Sequence, residues 1–486
     1  MSYPKLPVLL LTVLLAASGA AKLVAADALV TAPVNGPDPK EIPLPLIRTP
    51  MAPLPGVNEL PVRKAMPDPL TMNDGSKVTT PEQWKVRREE IRKILEYYAV
   101  GQAPPPPGNV KGHELLSQSV LDGQATYRLI HLTFGPEEKL TLDIGLLTPA
   151  TGGPFPAVIS PSGTPPGGTS LSLQGSGPNQ GRAQDVLLLV GHGPAPAAGA
   201  GGAATPPRGG PGRGGVANPK AAAEALATRN AAVLAHGFAL VVFNNNDCGE
   251  DTTLRNDDGS WAYRNRSFYP AYPNYDWGLL RGWAWGVSRI VDYLVTDPAV
   301  DKTRIAVTGV SRTGKSALVA GAFDDRIALT APVVTGGGGV GAYRFSMAGS
   351  GASESLDLME KKYPNWWGPN LHEFWGHTEQ LPFDTHWYLA LIAPRAFIAL
   401  EGLTDNVSFA PAVKQSWLAA RPVYQLLGAA DRFGVNYANH AHAFTNEDWQ
   451  AMLTFADKTL FGKTVDRAFD QWPPVAERPA PTVPVK

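Results

Sequence analysis

From residue 221 onward the chain alternates helix-forming stretches with short apolar runs, and this rhythm restricts the fold more than any other feature. A helical pattern around AAAEALATRNAAVLAHG leads to FALVVFNNND, and one around LLRGWAWGVSRIVDYLV leads to RIAVTGV. A third helix begins just after Ser311 and leads to IALTAPVVTGGGG. RAFIALEGLTD, a helix around VKQSWLAARPVYQLLG, the run VNYANHAHAF and a closing helix NEDWQAMLTFADKTLF complete the series. Strands separated by helices pair in parallel through crossovers. The expectation is an α/β fold with a mostly parallel central sheet and helices on both faces. Upstream, ATYRLIHLTF and KLTLDIGLLTP alternate like a hairpin, and FPAVISPSG is a short, nearly continuous apolar run. No internal repeat is present.

The flanks read differently. Lys5 precedes the apolar run LPVLLLTVLLAA, and small residues follow it from Ser18. That layout predicts a secretory signal over residues 1–26; the run is short for a bilayer span, which disfavours an uncleaved anchor. Residues 27–78 are Pro-rich and are expected to run extended over the surface or act as a tether. The catalytic domain is expected over residues 79–470, opening with an amphipathic helix after Thr80 that carries Trp84, Ile91, Ile94, Leu95 and Tyr98 on one face. Gly101 and the prolines at 104–107 stop that helix. Within the domain, residues 193–217 form a Gly/Ala/Pro-rich insertion, expected to be mobile and without chemistry. Residues 471–486 are a Pro-rich tail.

Lys plus Arg (42) nearly balances Asp plus Glu (43), so no overall field favours nucleic acid or an anionic membrane. After signal cleavage the protein is expected to be soluble, secreted or periplasmic, and monomeric. The one cysteine, Cys248, excludes an intramolecular disulfide and reads as a small buried apolar residue.

Residues 304–318, RIAVTGVSRTGKSAL, admit two chemistries. Gly309, Gly314, Lys315 and Ser316 satisfy a phosphate-loop pattern, in which glycines let backbone N–H groups approach the phosphates. Gly309, Val310 and Ser311 at a strand-to-helix turn equally suit a nucleophile elbow. The context of a phosphate loop is weak. The segment follows several core strands, and no strand ends in a clear Mg²⁺-holding Asp; FIALE before Gly402 is the nearest imitation. An esterase requires an acid and then a base after the serine, each following a later strand. Asp405 follows RAFIALEG and His442 follows VNYAN, so Ser311, Asp405 and His442 stand in the required order. In that reading Ser311 Oγ attacks an ester carbonyl, His442 shuttles the proton, and Asp405 orients the imidazole. The N–H of Arg312 would face the oxyanion, with its guanidinium adding positive charge. Thr313 stands where G-x-S-x-G places its second glycine, so the elbow is a variant.

GVSRTGKSAL resembles the G-C-S-R-x-G-K elbow of the glucuronoyl esterases, carbohydrate esterase family 15. LPFDTHWYLALIAPRAFIALEG and HAHAFTNEDWQAMLTFADKTL are similar to that family's later blocks, and the likeness runs from about residue 85 to 465, closest in bacterial members. The resemblance implies an α/β-hydrolase fold. It also implies cleavage of esters between (4-O-methyl-)glucuronic acid on xylan and lignin alcohols, without metal or cofactor. It matches Ser311 to the nucleophile, Arg312 to the oxyanion arginine, Lys315 to the residue binding the uronate hydroxyls and His442 to the base. Val310 and Ala443 replace the two halves of a fungal disulfide. Fungal members carry their acid as Glu after the strand that follows the elbow, where this chain has only Val333, Val334 and Thr335. Asp405 is therefore the expected acid, at the position used by many bacterial members, with Glu401 as the fallback.

Other residues carry competing readings. Glu354 binds sugar hydroxyls or simply charges a helix N-terminus. Trp366 and Trp367 stack on substrate or pack in the core. On a strand, His440 and His442 would share a face like a metal pair, but no third ligand has suggestive spacing. His440 is the alternative base. Asp384 and His386 read as a buried hydrogen-bonding pair, and residues 336–339 as a tight loop near the site. The remaining alternatives are an acetyl- or feruloyl-type esterase and a non-catalytic glycan-binding protein.

Overall fold

Strand runs such as FALVVF and RIAV lack polar alternation because both of their faces are covered. The computed structural model describes residues 54–169, 219–346 and 354–477. The expected signal at 1–26 and the insertion at 193–217 lie outside the described residues, as does most of the tail. The described strands are β1 (Lys111–Val120), β2 (Ala125–Phe134), β3 (Leu140–Pro149), β4 (Phe155–Pro161), β5 (Ala239–Phe243), β6 (Val300–Val310), β7 (Ile327–Val333), β8 (Ala396–Gly402) and β9 (Phe433–Ala438). The helices are α1 (Pro81–Leu95), α2 (Pro219–Ala235), α3 (Leu279–Leu294), α4 (Arg312–Phe323), α5 (Leu356–Lys362), α6 (His386–Ile392), α7 (Ala410–Leu426) and α8 (Asn446–Phe461).

The strands form one sheet in the order β1-β2-β3-β5-β4-β6-β7-β8-β9. Strands β1, β2, β3 and β5 pair antiparallel, and every pairing from β5 through β4 to β9 is parallel. Alternate residues of each parallel strand enter different cores, as the period of two requires. Ala157, Ile159, Ile305 and Val307 face a core built with α1, α3, α4, α6 and α7, which contribute Ile91, Leu280, Leu318, Leu389 and Trp417. Val158, Ala306, Ile398 and Leu400 face a second core closed by α2 and α8, through Val233 and Met452.

Strand β1 has no counterpart in the sequence expectations. It is an edge strand exposed over most of its length, so KGHELLSQSV carries no apolar face to betray it. The Pro-rich segment is docked over its described part: Pro67 O accepts from His386 Nε2 at 2.7 Å and from Trp387 Nε1 at 3.1 Å. At the other end Trp472 packs edge-on against Trp417.

From β4 the chain passes to β5 on one side and then to β6 on the other. The sheet's order therefore reverses beside β6, and such a switch point opens a crevice at the C-terminal ends of the strands. Ser311 lies there.

Candidate active site

The turn after β6 is one residue long. Val310 ends the strand, Ser311 stands alone, and α4 begins at Arg312. Ser311 adopts φ 55° and ψ −123°, a region L-residues avoid. Its N–H donates to Val333 O at 2.9 Å, and its hydroxyl makes no cap to its own helix. Thr313 takes over the local bonding: its Oγ1 accepts from Val310 N–H at 3.0 Å and donates to Val310 O at 2.9 Å. The variant residue of the elbow thus clamps the turn. A Cβ at Gly309 would meet Thr313 O at 2.6 Å, and one at Gly314 would meet Gly309 O at 2.7 Å. Both glycines are needed to seat helix against strand.

This geometry leaves no loop for a phosphate between strand and helix. Lys315 is 1% exposed, and its Nζ donates to Glu354 Oε2 at 2.6 Å and Thr335 O at 2.5 Å. A lysine so engaged does not reach outward to β/γ-phosphates, and the phosphate-loop match has no structural counterpart.

Ser311 Oγ lies 2.8 Å from His442 Nε2, and His442 Nδ1 lies 2.9 Å from Asp405 Oδ2. The three residues come from the turns after β6, β9 and β8. The loops that carry Asp405 and His442 are tied together: Leu403 N–H donates to Ala438 O at 2.9 Å and Thr404 N–H to His440 O at 3.1 Å. Asp405 Oδ1 accepts from Val407 N–H at 2.7 Å, which leaves Oδ2 for the imidazole. Its side chain is shielded, whereas that of His442 is 31% exposed.

His440 and His442 both lie beyond β9, so the strand spacing expected for them does not apply. His440 Nε2 pairs with Asp448 Oδ1 at 3.1 Å and Nδ1 with Ala441 O at 2.7 Å. Asp448 also accepts from Thr445 N–H at 2.8 Å in the capping box of α8. His440 therefore anchors the loop to the helix that His442 precedes, and both of its ring nitrogens are engaged away from Ser311. Glu401, the fallback acid, is buried in β8 with Oε1 unbonded, and burial pushes its carboxyl well above the usual range. It makes no hydrogen bond to His442.

Arg312 Nη1 donates to Asp251 Oδ2. Asp251 Oδ1 accepts from Trp366 Nε1 at 2.8 Å and Asn365 Nδ2 at 3.4 Å. The expectation that Trp366 offers a stacking face is corrected: the ring is 1% exposed because Tyr363 covers it, centroids 4.1 Å apart and 5° from parallel. Tyr363 holds the outer position. Lys315 and Glu354 do come together near this wall, with Lys315 Nζ 5.5 Å from the Trp366 ring. Burial lowers the Lys315 pKa and the Glu354 charge opposes that shift. Gly336, at φ 66°, leaves room for Glu354 Oε2, which a Cβ would approach to 2.5 Å.

Asp384 and His386 are both buried but do not bond to each other. Asp384 takes Tyr343 N–H at 2.8 Å and Arg344 Nη1 at 3.0 Å, while His386 turns to Pro67. Asp251, Asn365 and Tyr363 were not anticipated. A polar run directly after a core strand, NNNDCGED after FALVVF, was the available signal for Asp251.

A serine on a strained strand–helix turn, with imidazole and carboxylate from later strand ends, is the α/β-hydrolase arrangement. The model of the family "Glucuronyl esterase, fungi" matches residues 214–428. A 4-O-methyl-glucuronoyl methylesterase of Podospora anserina is 30% identical over 428 residues, 83% of this chain and 69% of that protein. The glucuronoyl esterase catalytic domain of Hypocrea jecorina superposes with TM-score 0.61 at 26% identity, covering 86% of this chain and 95% of that one. A mutant glucuronoyl esterase of Sporotrichum thermophile, solved with methyl 4-O-methyl-β-D-glucopyranuronate, gives TM-score 0.59 at 25% identity, covering 86% and 94%.

Proposed function

The chain belongs to the 4-O-methyl-glucuronoyl methylesterase (glucuronoyl esterase) family, and we propose on that footing that it is a serine carboxylester hydrolase for esters of (4-O-methyl-)glucuronic acid. Ser311 is the nucleophile, His442 the general base and then acid, and Asp405 the residue that orients the imidazole. The observation that carries this reading is the continuous Ser311–His442–Asp405 relay at 2.8 and 2.9 Å on a turn that projects the hydroxyl outward.

Ser311 Oγ attacks the uronate carbonyl carbon while His442 Nε2 accepts its proton, and Asp405 Oδ2 accepts the Nδ1–H. The carbonyl oxygen becomes an oxyanion. The first N–H groups of α4 have no intrahelical acceptors, so the Arg312 N–H is free to donate to it, with the guanidinium nearby. Collapse breaks the bond to the alcohol oxygen, which leaves with the proton held on His442. An ester of Ser311 with the uronic acid remains. Water, deprotonated by His442, attacks it in turn, releasing the uronic acid and restoring Ser311.

The natural substrate is read as glucuronoxylan esterified to lignin alcohols. Lys315 and Glu354 lie within the wall that would face the sugar hydroxyls. None of the described helices is long and apolar enough to cross a membrane, and residues 1–26 are read as an export signal. The deciding assay is hydrolysis of benzyl glucuronate against an aryl acetate, with Ser311→Ala as control. Preference for the glucuronate and loss of activity in Ser311→Ala are expected. Preference for the acetate would make this an acetyl- or feruloyl-type esterase. Unchanged slow hydrolysis in Ser311→Ala would leave only glycan binding.

A further inference from the structure

Arg312 is held from outside its own turn. Asp251, in the segment after β5 and 61 residues upstream, accepts from its Nη1 through Oδ2. The opposite oxygen of that carboxylate is taken by Trp366 Nε1 and Asn365 Nδ2. The guanidinium carbon also stands 5.2 Å from the Tyr363 ring centroid and 5.0 Å from that of Trp366. Two separate stretches of chain therefore converge on one side chain that is itself 28% exposed.

Stability does not account for this convergence. A partly exposed ion pair adds little to folding, because solvent screening offsets most of its Coulomb energy. What the arrangement does fix is orientation. A free arginine at the first position of a helix samples many rotamers, and a donor that must be ordered during reaction stabilises charge less than one already in place. Asp251 is itself fixed on its other oxygen by groups that are buried, so it forms a rigid stop and not a mobile counter-ion.

We propose that Asp251 is a positioning residue for ester hydrolysis, locking the Arg312 guanidinium toward the oxyanion that forms over Ser311. This inference rests on the reading of Arg312 given above. The two are separable by a double-mutant cycle on benzyl glucuronate. Arg312→Ala is expected to lower kcat by about 10²–10³-fold, the range for a lost oxyanion donor. Asp251→Asn keeps an acceptor for Trp366 and removes the charge. It is expected to lower kcat by about 10–10²-fold with KM changed less than about two-fold, a loss confined to the transition state. In the Arg312→Ala background the same substitution should change kcat by less than about two-fold.

An equal loss in both backgrounds would overturn the inference while leaving Arg312 in its role. So would a raised KM with unchanged kcat, or a kcat at or above that of the parent. An intact kcat in Arg312→Ala would remove the oxyanion role and the inference together. If Asp251→Asn does not fold, Asp251→Glu, which keeps the charge and displaces it by one methylene, carries the same cycle and the same outcomes.

Discussion

Lys315 Nζ and Glu354 Oε2 meet at 2.6 Å where neither side chain is more than about a tenth exposed. Removing one member of a buried pair strands the other, at a typical cost of about 3–5 kcal/mol, whereas removing both is often close to neutral. Glu354→Gln should therefore destabilise the fold by about that amount, and Lys315→Met by a comparable one. The double variant should recover most of the loss in urea unfolding. If the pair faces the sugar, the double variant should still lose its preference for benzyl glucuronate over an aryl acetate, read as the ratio of kcat/KM values. Recovery of stability together with an unchanged ratio would make the pair purely structural.

Ser311 at φ 55° and ψ −123° sits where glycine is at ease and other residues carry strain of roughly 1–3 kcal/mol. Ser311→Ala and Ser311→Gly both lose the hydroxyl, so both should be inactive. Their stabilities should differ in an unusual direction. At an ordinary position glycine is less stable than alanine by roughly 0.5–1 kcal/mol, through the entropy of the unfolded chain. Here Ser311→Gly should be the more stable by about 1 kcal/mol, measured by thermal or urea unfolding of the two variants side by side. The reverse order would mean that the turn carries no strain.

How far the sequence reveals this molecule depends on how local each signal is. The parallel strands were legible because burial on two faces leaves a run such as ALVVF with no polar alternation. The convergence of Ser311, His442 and Asp405 was legible because each follows such a run in a fixed order. Strand β1 was hidden because an exposed edge needs no apolar face. The Trp366–Tyr363 stack was hidden because YPNWWGPN does not say which ring covers which. Asp251 was hidden for a deeper reason: its partner Arg312 is 61 residues away, and no periodicity links a loop carboxylate to a helix terminus on another strand. The pairing expected of Asp384 and His386 failed because His386 begins a helix and points elsewhere. Adjacency in sequence did not become adjacency of side chains.

Two acids lie at or just after the end of β8, and their surroundings differ. Asp405 Oδ2 bonds His442 Nδ1, and Val407 N–H fixes its other oxygen. Burial raises the pKa of Glu401, with the charges of Asp405 and Asp448 acting the same way and the Ser408 hydrogen bond and Lys315 charge opposing them. Asp405→Asn should reverse the hydrogen-bond sense at Nδ1 and select the wrong tautomer, lowering kcat on the order of 10⁴-fold. Glu401→Gln keeps the shape of a side chain that makes no hydrogen bond to His442, so kcat should stay within a few-fold. A larger loss in Glu401→Gln than in Asp405→Asn would exchange their roles.

His386 supplies a dependence of stability on pH that is independent of catalysis. It is fully buried, its Nε2 lies 2.7 Å from Pro67 O, and its Nδ1 has no partner. Burial lowers its pKa from 6.5 to about 4, against the opposing charges of Asp384 and Asp68 and alongside that of Arg344. Between those values the unfolded chain binds the proton and the folded one does not. Unfolding free energy therefore rises with pH across this window and is lost as pH falls from about 6.5 toward 4. The full span corresponds to roughly 3 kcal/mol. His386→Gln keeps a donor for Pro67 O and removes the titration. Urea unfolding between pH 4.5 and 7 should show a rising stability in the parent and a flatter profile in the variant, whatever their difference at pH 7. Parallel profiles would place the acid sensitivity in another group.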